Sequence, residues 1–230
     1  MKYSKIVAID GPSGSGKSTI AKKVADYLGL LYVDTGAMYR ALGHFLQSQN
    51  IAFEESQALL DSLKNIRFEY GISKDCLIRV NDLDLTEIIR EHYVSELASR
   101  VSSLKSIREY LVNFQRKLVK EKICVMEGRD IGTVVFPDAF MKIFLTASVE
   151  IRAQRRFDQL KEKGKSDLSL AEVLVDVKNR DDRDMNRSES PLLKADDAIE
   201  LDTSTMSERE VLEKIDNFVK LRAFDLGINL

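Results

Sequence analysis

Gly11-Pro12-Ser13-Gly14-Ser15-Gly16-Lys17-Ser18 fills the pattern G-x-x-x-x-G-K-[ST] at every defined position, and Thr19 extends it. Its flanks are those the pattern needs. Ile6-Val7-Ala8-Ile9, just before it, is a continuous apolar run with β-branched residues, as in a parallel strand covered on both faces. After it, Ile20, Val24 and Leu28 recur every four residues with lysines between, which predicts a helix over 17–28 stopped by Gly29. Leu30-Leu31-Tyr32-Val33 reads as a second strand, so strand, helix and strand imply a right-handed parallel unit. A chance glycine-rich turn would have no reason to fall between these two elements. Glycines at 11, 14 and 16 let the backbone curl until successive N–H groups face one anion, and the helix start near Lys17 adds its positive end. In such a cradle Lys17 bridges the β- and γ-phosphates of a nucleoside triphosphate, and the Ser18 hydroxyl ligates Mg²⁺.

Working outward, 44% of the 230 residues are hydrophobic, ample for a buried core. Thirty-five basic against 37 acidic residues leave a net charge of −2, which argues against bulk electrostatic binding to nucleic acid or an anionic membrane. Basic and aromatic residues are not clustered as an RNA-binding surface would require. Cys76 and Cys124 are far apart and lack CxxC spacing, so they read as buried structural thiols. No apolar run approaches the ~20 residues of a membrane helix, and Met1-Lys2-Tyr3-Ser4 lacks the apolar segment of a secretion signal. A cytoplasmic, monomeric protein is expected.

Residues 38–64 read as helical. Arg67-Phe68-Glu69-Tyr70 and Cys76-Leu77-Ile78-Arg79-Val80, separated by Gly71-Ile72-Ser73-Lys74-Asp75, resemble a small antiparallel insertion. Helical periodicity returns over 87–120, then Ile123-Cys124-Val125-Met126 and Met141-Lys142-Ile143-Phe144-Leu145 read as buried strands. Residues 149–188 are charged and mainly helical, with a capping box at Ser169 and Glu172; Ser207 and Glu210 repeat it before a closing helix over 208–222, after a short strand at 198–201. Phe136-Pro137 reads as a packed turn, and His44 and His92, without metal-ligand partners, as structural. One α/β core carries an insertion and a charged helical flap.

The motif implies nucleotide binding, not a reaction. No Asn-Lys-x-Asp guanine-reading segment is present, and the strand ending Val125-Met126-Glu127-Gly128 lacks the Asp-Glu pair of a motor, which leaves a small-molecule kinase. A kinase with a phosphorylated acceptor needs arginines away from the phosphate loop. Arg180, Arg183 and Arg187, spaced three and four apart with Asp181, Asp182 and Asp184 among them, share a helix face. Three arginines and no lysine suit forked phosphate recognition. Arg152, Arg155 and Arg156 form a second group that reads equally well as a solvated, salt-bridged face. Arg40 follows the Thr35-Gly36 turn, and Arg129-Asp130 ends the third strand; carboxyl ends of parallel strands are where ligands bind. Other monophosphates or small metabolites stay open as acceptors, as does an ATP-binding regulatory module without turnover.

Residues 11–19, Asp34-Thr35-Gly36-Ala37-Met38-Tyr39-Arg40, the run 127–139 beginning Glu127-Gly128-Arg129-Asp130-Ile131-Gly132-Thr133, the run 180–187 and Leu201-Asp202-Thr203 occur in order. Together they resemble bacterial cytidylate kinases, of the nucleoside monophosphate kinase family, over essentially the whole chain. The resemblance implies a five-stranded parallel sheet with helices on both faces (core 1–37, 121–147 and 190–230), a nucleotide-binding insertion at about 38–120 with a small antiparallel sheet, and a helical lid at about 148–189. It implies transfer from ATP with Mg²⁺ to CMP or dCMP. Ser99, Arg108 and Asp130 would read the cytosine edge, Arg40, Arg129 and Arg187 hold the monophosphate, and Arg180 and Asp184 contact the sugar, with Thr35 also at the acceptor. Lys17, Arg129, Arg155 and Arg187 would be catalytic, the arginines of 152–156 belonging to the lid over the ATP phosphates. Thr35 stands where some members have serine, and Ser190 and Lys194 replace a more usual alanine and proline. The base pairing is physically sensible: a carboxylate accepts from the cytosine amino group and an arginine donates to its ring nitrogen. With UMP both would be mismatched at roughly 1–3 kcal/mol each, a preference of roughly 10²-fold or more.

Overall fold

The computed structural model describes residues 3–73, 75–120, 122–162 and 168–230. In chain order the elements are β1 (Ser4–Asp10), α1 (Lys17–Leu28), β2 (Leu31–Asp34), α2 (Thr35–Ser48), α3 (Gln57–Asn65), β3 (Phe68–Tyr70), β4 (Ile78–Val80), β5 (Leu83–Asp84), α4 (His92–Val101), α5 (Lys105–Leu118), β6 (Cys124–Gly128), β7 (Ala139–Thr146), α6 (Val149–Glu162), α7 (Leu170–Asn186), β8 (Ile199–Asp202) and α8 (Glu208–Leu226). Lys74 of the expected insertion turn, and residues 163–167 of the expected lid, lie outside the described residues. The chain divides into two compact units: one up to Asp34 and from Val119 onward, the other Thr35–Leu118.

In the first unit, five strands form one sheet in the order β2-β6-β1-β7-β8, every pairing parallel. The apolar run of β1 lies at its centre, and Val7, Ala8 and Ile9 are wholly buried. Val125, Ile143 and Leu145 from the neighbouring strands join Ile20 and Val24 of α1 and Val211, Ile215 and Val219 of α8 in the same core. Full burial of each such aliphatic side chain contributes ~1.5–3 kcal/mol. Register brings the strand ends level: Ile9 lies beside Glu127 and Ile143, and Asp34 beside Glu127, so the carboxyl ends of β1, β2, β6 and β7 form one edge.

Caps set the helix limits. Gly29 at φ 66° closes α1, its N–H reaching Ala25 O and Asp26 O. Both predicted capping boxes form, Ser169 with Glu172 and Ser207 with Glu210. The last helix runs past the expected 222 to Leu226, because the glycine able to end it in the left-handed region is Gly227. Helices α6 and α7 enclose a small core of Ala153, Leu160, Val173 and Val177.

The second unit corrects the sequence reading in three places. The helix expected over 38–64 is two helices: Asn50 turns left-handed at φ 56° after α2, and Ser56 caps α3 by accepting from Leu59 N–H. Asparagine tolerates that region better than most residues. The antiparallel sheet gains a two-residue strand, β5, which pairs with β4 across Asn81, left-handed at φ 54°. The helical stretch at 87–120 begins with a 3₁₀ turn at Ile88–Arg90 and is broken between α4 and α5. There the Ser102 and Ser103 hydroxyls bond back to Ser99 O and Arg100 O, diverting the backbone. Helix α2 presses on α4 at Gly43, where an added Cβ would lie 3.2 Å from Leu97. Among the described residues no helix is long and apolar enough to cross a membrane.

Candidate functional site

The first unit's site is built on the carboxyl edge of its sheet. Gly11 follows β1 at φ 148°, and a Cβ there would strike Leu145 O at 2.0 Å, so only glycine lets the loop leave the strand here. Gly14 and Gly16 are left-handed, at φ 76° and 89°, curling the loop into the start of α1. A Cβ on Gly14 would meet the backbone of Arg152 at 2.8 Å, so α6 packs directly on the loop. Lys17 is buried, and its ammonium donates to Pro12 O (2.6 Å) and Ser15 Oγ (3.3 Å). Burial lowers its pKa well below the ordinary range; Arg129 and Arg180 push further down, while Glu127 and Asp10 oppose them. Successive loop N–H groups beside a buried lysine are the arrangement that a phosphate requires.

Beside it stand acidic groups. Glu127, at the end of β6, accepts from Tyr32 Oη (2.7 Å) and from the Ser18 hydroxyl. Burial, then the neighbouring Asp34, raises its pKa. Asp10 accepts from Ile131 N–H (2.9 Å) and Gly132 N–H (2.8 Å), and burial lifts its pKa to about 7. Mg²⁺ takes hard oxygen ligands and usually keeps several waters or phosphate oxygens. A hydroxyl backed by Glu127 and Asp34 fits that preference. Among the described residues no group of three acidic, His or Cys side chains could hold a metal alone, so such an ion would draw further ligands from phosphate.

Of the arginines expected at the acceptor, Arg129 follows β6, Arg180 lies on α7 and Arg187 caps it, while Arg40 is on α2 of the second unit. Arg129 Nε donates to Asp184 Oδ2 at 2.9 Å. Burial works against the charge on both partners, yet Asp184 keeps the Arg129 pKa raised, and Arg129 with Arg180 keeps that of Asp184 low. Arg187 Nη2 is 3.9 Å from Asp130 Oδ1, both side chains being almost fully buried, and its Nε donates to Ser190 O. The expected arginine face is thus divided. Arg180 and Arg187 turn to this cluster, whereas Arg183 is exposed and bonds back to Asn179 O. The second arginine group divides too. Arg155 lies by Gly16 and donates to Ser15 O, Thr203 Oγ1 and Thr203 O, close to the cradle. Arg152 is buried beneath the loop, where it donates to Ser13 O (3.1 Å), Ala147 O (2.9 Å) and Asp181 Oδ2 (2.6 Å).

In the second unit Thr35 is buried at the start of α2, which also carries Arg40. Arg108, buried on α5, lies 5.8 Å from the Tyr39 ring centroid and donates to Ser102 O. Ser102 Oγ donates to Ser99 O, so Ser99 and Arg108 belong to one patch. The Ser99 hydroxyl is buried with no hydrogen-bond partner among the described residues. Of the three expected base readers, Ser99 and Arg108 thus fall in this unit and Asp130 in the first.

Sequence reasoning missed Asp10, Tyr32, Asp34, Glu127 and the Arg152–Asp181 pair as parts of the site. A usable signal existed for three of them: Asp10, Asp34 and Glu127 are charged residues closing otherwise apolar strand runs.

The cytidylate kinase family model matches residues 7–221. A cytidylate kinase of Fusobacterium nucleatum is 48% identical over 210 residues, covering 91% of this chain and 94% of that protein. One from Caldicellulosiruptor saccharolyticus is 47% identical over 210 residues, covering 91% and 92%. A bifunctional pantoate ligase/cytidylate kinase of Prochlorococcus marinus is 48% identical over 217 residues, which is 94% of this chain but 42% of that longer protein.

Proposed function

The chain belongs to the cytidylate kinase family, and on that premise we propose that it transfers the γ-phosphoryl group of ATP to CMP or dCMP, giving ADP with CDP or dCDP. The observation that carries the reading is the glycine cradle with Lys17 buried in it, in the same unit as the buried Arg129–Asp184 and Arg187–Asp130 pairs.

The acceptor phosphate oxygen is already anionic, so no general base is required. Positioning and neutralisation of charge supply the catalysis. Residues 11–19 hold the triphosphate through backbone N–H groups, with Lys17 on the β- and γ-phosphates and Arg155 beside the γ-phosphate. Ser18 would hold Mg²⁺, which would neutralise phosphate charge when bound. Arg40, Arg129 and Arg187 hold the acceptor phosphate in line, and Arg180 and Asp184 take the sugar, with Thr35 nearby. Asp130 accepts from the cytosine amino group, Arg108 donates to the ring nitrogen, and the partnerless Ser99 hydroxyl is available to the same edge. Residues 38–120 act as the acceptor-binding insertion and 148–189 as a lid whose closure excludes water. The protein works as a monomer in the cytoplasm.

A coupled ADP-release assay with ATP and Mg²⁺, offering AMP, GMP, UMP, CMP and dCMP in turn, tests this. CMP and dCMP should lead, with roughly 10²-fold preference over UMP. Equal efficiency on UMP and CMP would overturn the base-reading assignment. Nucleotide binding without product from any acceptor would favour a regulatory module instead.

A further inference from the structure

Asp10 closes β1 and directly precedes the phosphate cradle, and its carboxylate bonds to the turn after β6. Its two oxygens accept one bond each, Oδ1 from Ile131 N–H and Oδ2 from Gly132 N–H. Those are the first two amides after Asp130. Asp130 itself has an unusual backbone (φ −148°, ψ 25°), and its carbonyl accepts from both Val134 and Val135 N–H as the chain makes one wide π turn, Ile131–Val135. The turn joins β6 to β7 with Ile131 and Val135 buried, and its first two amides are held not by its own backbone but by the Asp10 carboxylate.

The grip has a second point. The stem of Lys142, on β7, lies under Gly132: a Cβ there would come within 3.1 Å of Lys142 Cδ and 3.5 Å of Asp10 Oδ2. The Lys142 ammonium is itself tied to Pro137 O and Asp197 Oδ1, both at 2.7 Å. Ala8 and Lys142 are register partners on β1 and β7, so both grips stand on adjacent central strands.

Resting on the proposed CMP kinase activity, we propose that Asp10 is a positioning residue for acceptor selection. It fixes the turn that carries Arg129 and Asp130, so that the Asp130 carboxylate meets the base edge, without itself touching the acceptor. The same strand end then sets both the donor cradle and the acceptor reader. A residue needed only for folding would, when changed, slow all acceptors alike.

Asp10→Asn keeps the size but presents its NH₂ to one of the two N–H donors, so one bond is lost. Gly132→Ala disturbs the same turn while leaving the carboxylate beside Lys17 intact. Both variants should lower the CMP-over-UMP ratio of kcat/KM, Asp10→Asn by about tenfold or more, chiefly through KM for CMP. The Kd for ATP alone, by calorimetry, should change less than about threefold. Thermal melts establish that each variant is folded; should Asp10→Asn fail to fold, Gly132→Ala decides. Wild-type acceptor ratios in folded variants would overturn the inference. So would a fall in Asp10→Asn alone, which would place the effect in the charge next to Lys17. A wild-type enzyme without CMP preference would instead overturn the proposed activity, and this inference with it.

Discussion

The buried pair Arg152–Asp181 offers a prediction whose size follows from the geometry. The Arg152 and Asp181 side chains are 7% and 9% exposed, and Arg152 also satisfies Ser13 O and Ala147 O. Asp181→Leu leaves a buried guanidinium without its counter-charge, a change that costs ~3–5 kcal/mol. Arg152→Met leaves the carboxylate bare and strips donors from two carbonyls, each of which adds ~1–3 kcal/mol if unsatisfied. The double variant Arg152→Met/Asp181→Leu retains no charge there, only the carbonyl cost. It should therefore be no less stable than Arg152→Met alone, and the coupling between the two changes should be ~3 kcal/mol or more. For a chain of this size ~1 kcal/mol moves Tm by ~2–4 °C, so Asp181→Leu should lower Tm by roughly 6–20 °C. Urea denaturation of the four proteins, followed by circular dichroism, gives the cycle. Single costs below ~1 kcal/mol, or costs that simply add, would refute the reasoning that this pair is a desolvated, coupled unit.

Lys17→Ala should abolish turnover in the ADP-release assay; near-normal turnover would remove the cradle assignment. The pH dependence of stability should carry Asp10's signature. Its pKa is raised by burial from 3.8 to about 7, so its contribution is fully present below about pH 4 and is lost as pH rises through 7. Melting temperatures of wild type and Asp10→Asn should accordingly diverge in favour of wild type as pH falls from about 8 to about 5, and a constant difference would contradict this. Removing the cap hydroxyl with Ser207→Ala should cost ~0.5–2 kcal/mol in denaturant unfolding, because α8 packs Val211, Ile215 and Val219 into the main core.

What was legible in the sequence was what repeats or what chemistry demands. Four of the five core strands declared themselves as apolar runs and the fifth as a short strand, the cradle by its glycines and lysine, and the caps of α7 and α8 by their Ser-x-x-Glu spacing. What escaped turned on single residues or on direction. Asn50 breaks a helix whose apolar spacing continues on both sides, and β5 is too short to show any alternation. Arg152 and Arg155 occupy one charged helix, yet one is buried under the loop and the other lies by Gly16; no spacing of arginines distinguishes those fates. The face shared by Arg180, Arg183 and Arg187 was overread for the same reason, since Arg187 lies at the cap beyond α7 and Arg183 points to solvent. Ser99 and Arg108 came from the family resemblance alone; nothing local marks a serine on α4 as a base reader, and what the fold adds is that its hydroxyl is buried without a hydrogen-bond partner among the described residues.

The central claim is that a donor cradle and an arginine-lined acceptor pocket work on one pair of nucleotides. A crystal structure with CMP, Mg²⁺ and a non-hydrolysable ATP analogue tests it most directly. Lys17 should lie on the β- and γ-phosphates, nitrogens of Arg40, Arg129 and Arg187 within hydrogen-bond distance of the CMP phosphate, and Asp130 on the cytosine amino group. A CMP phosphate bound away from those three arginines would contradict it.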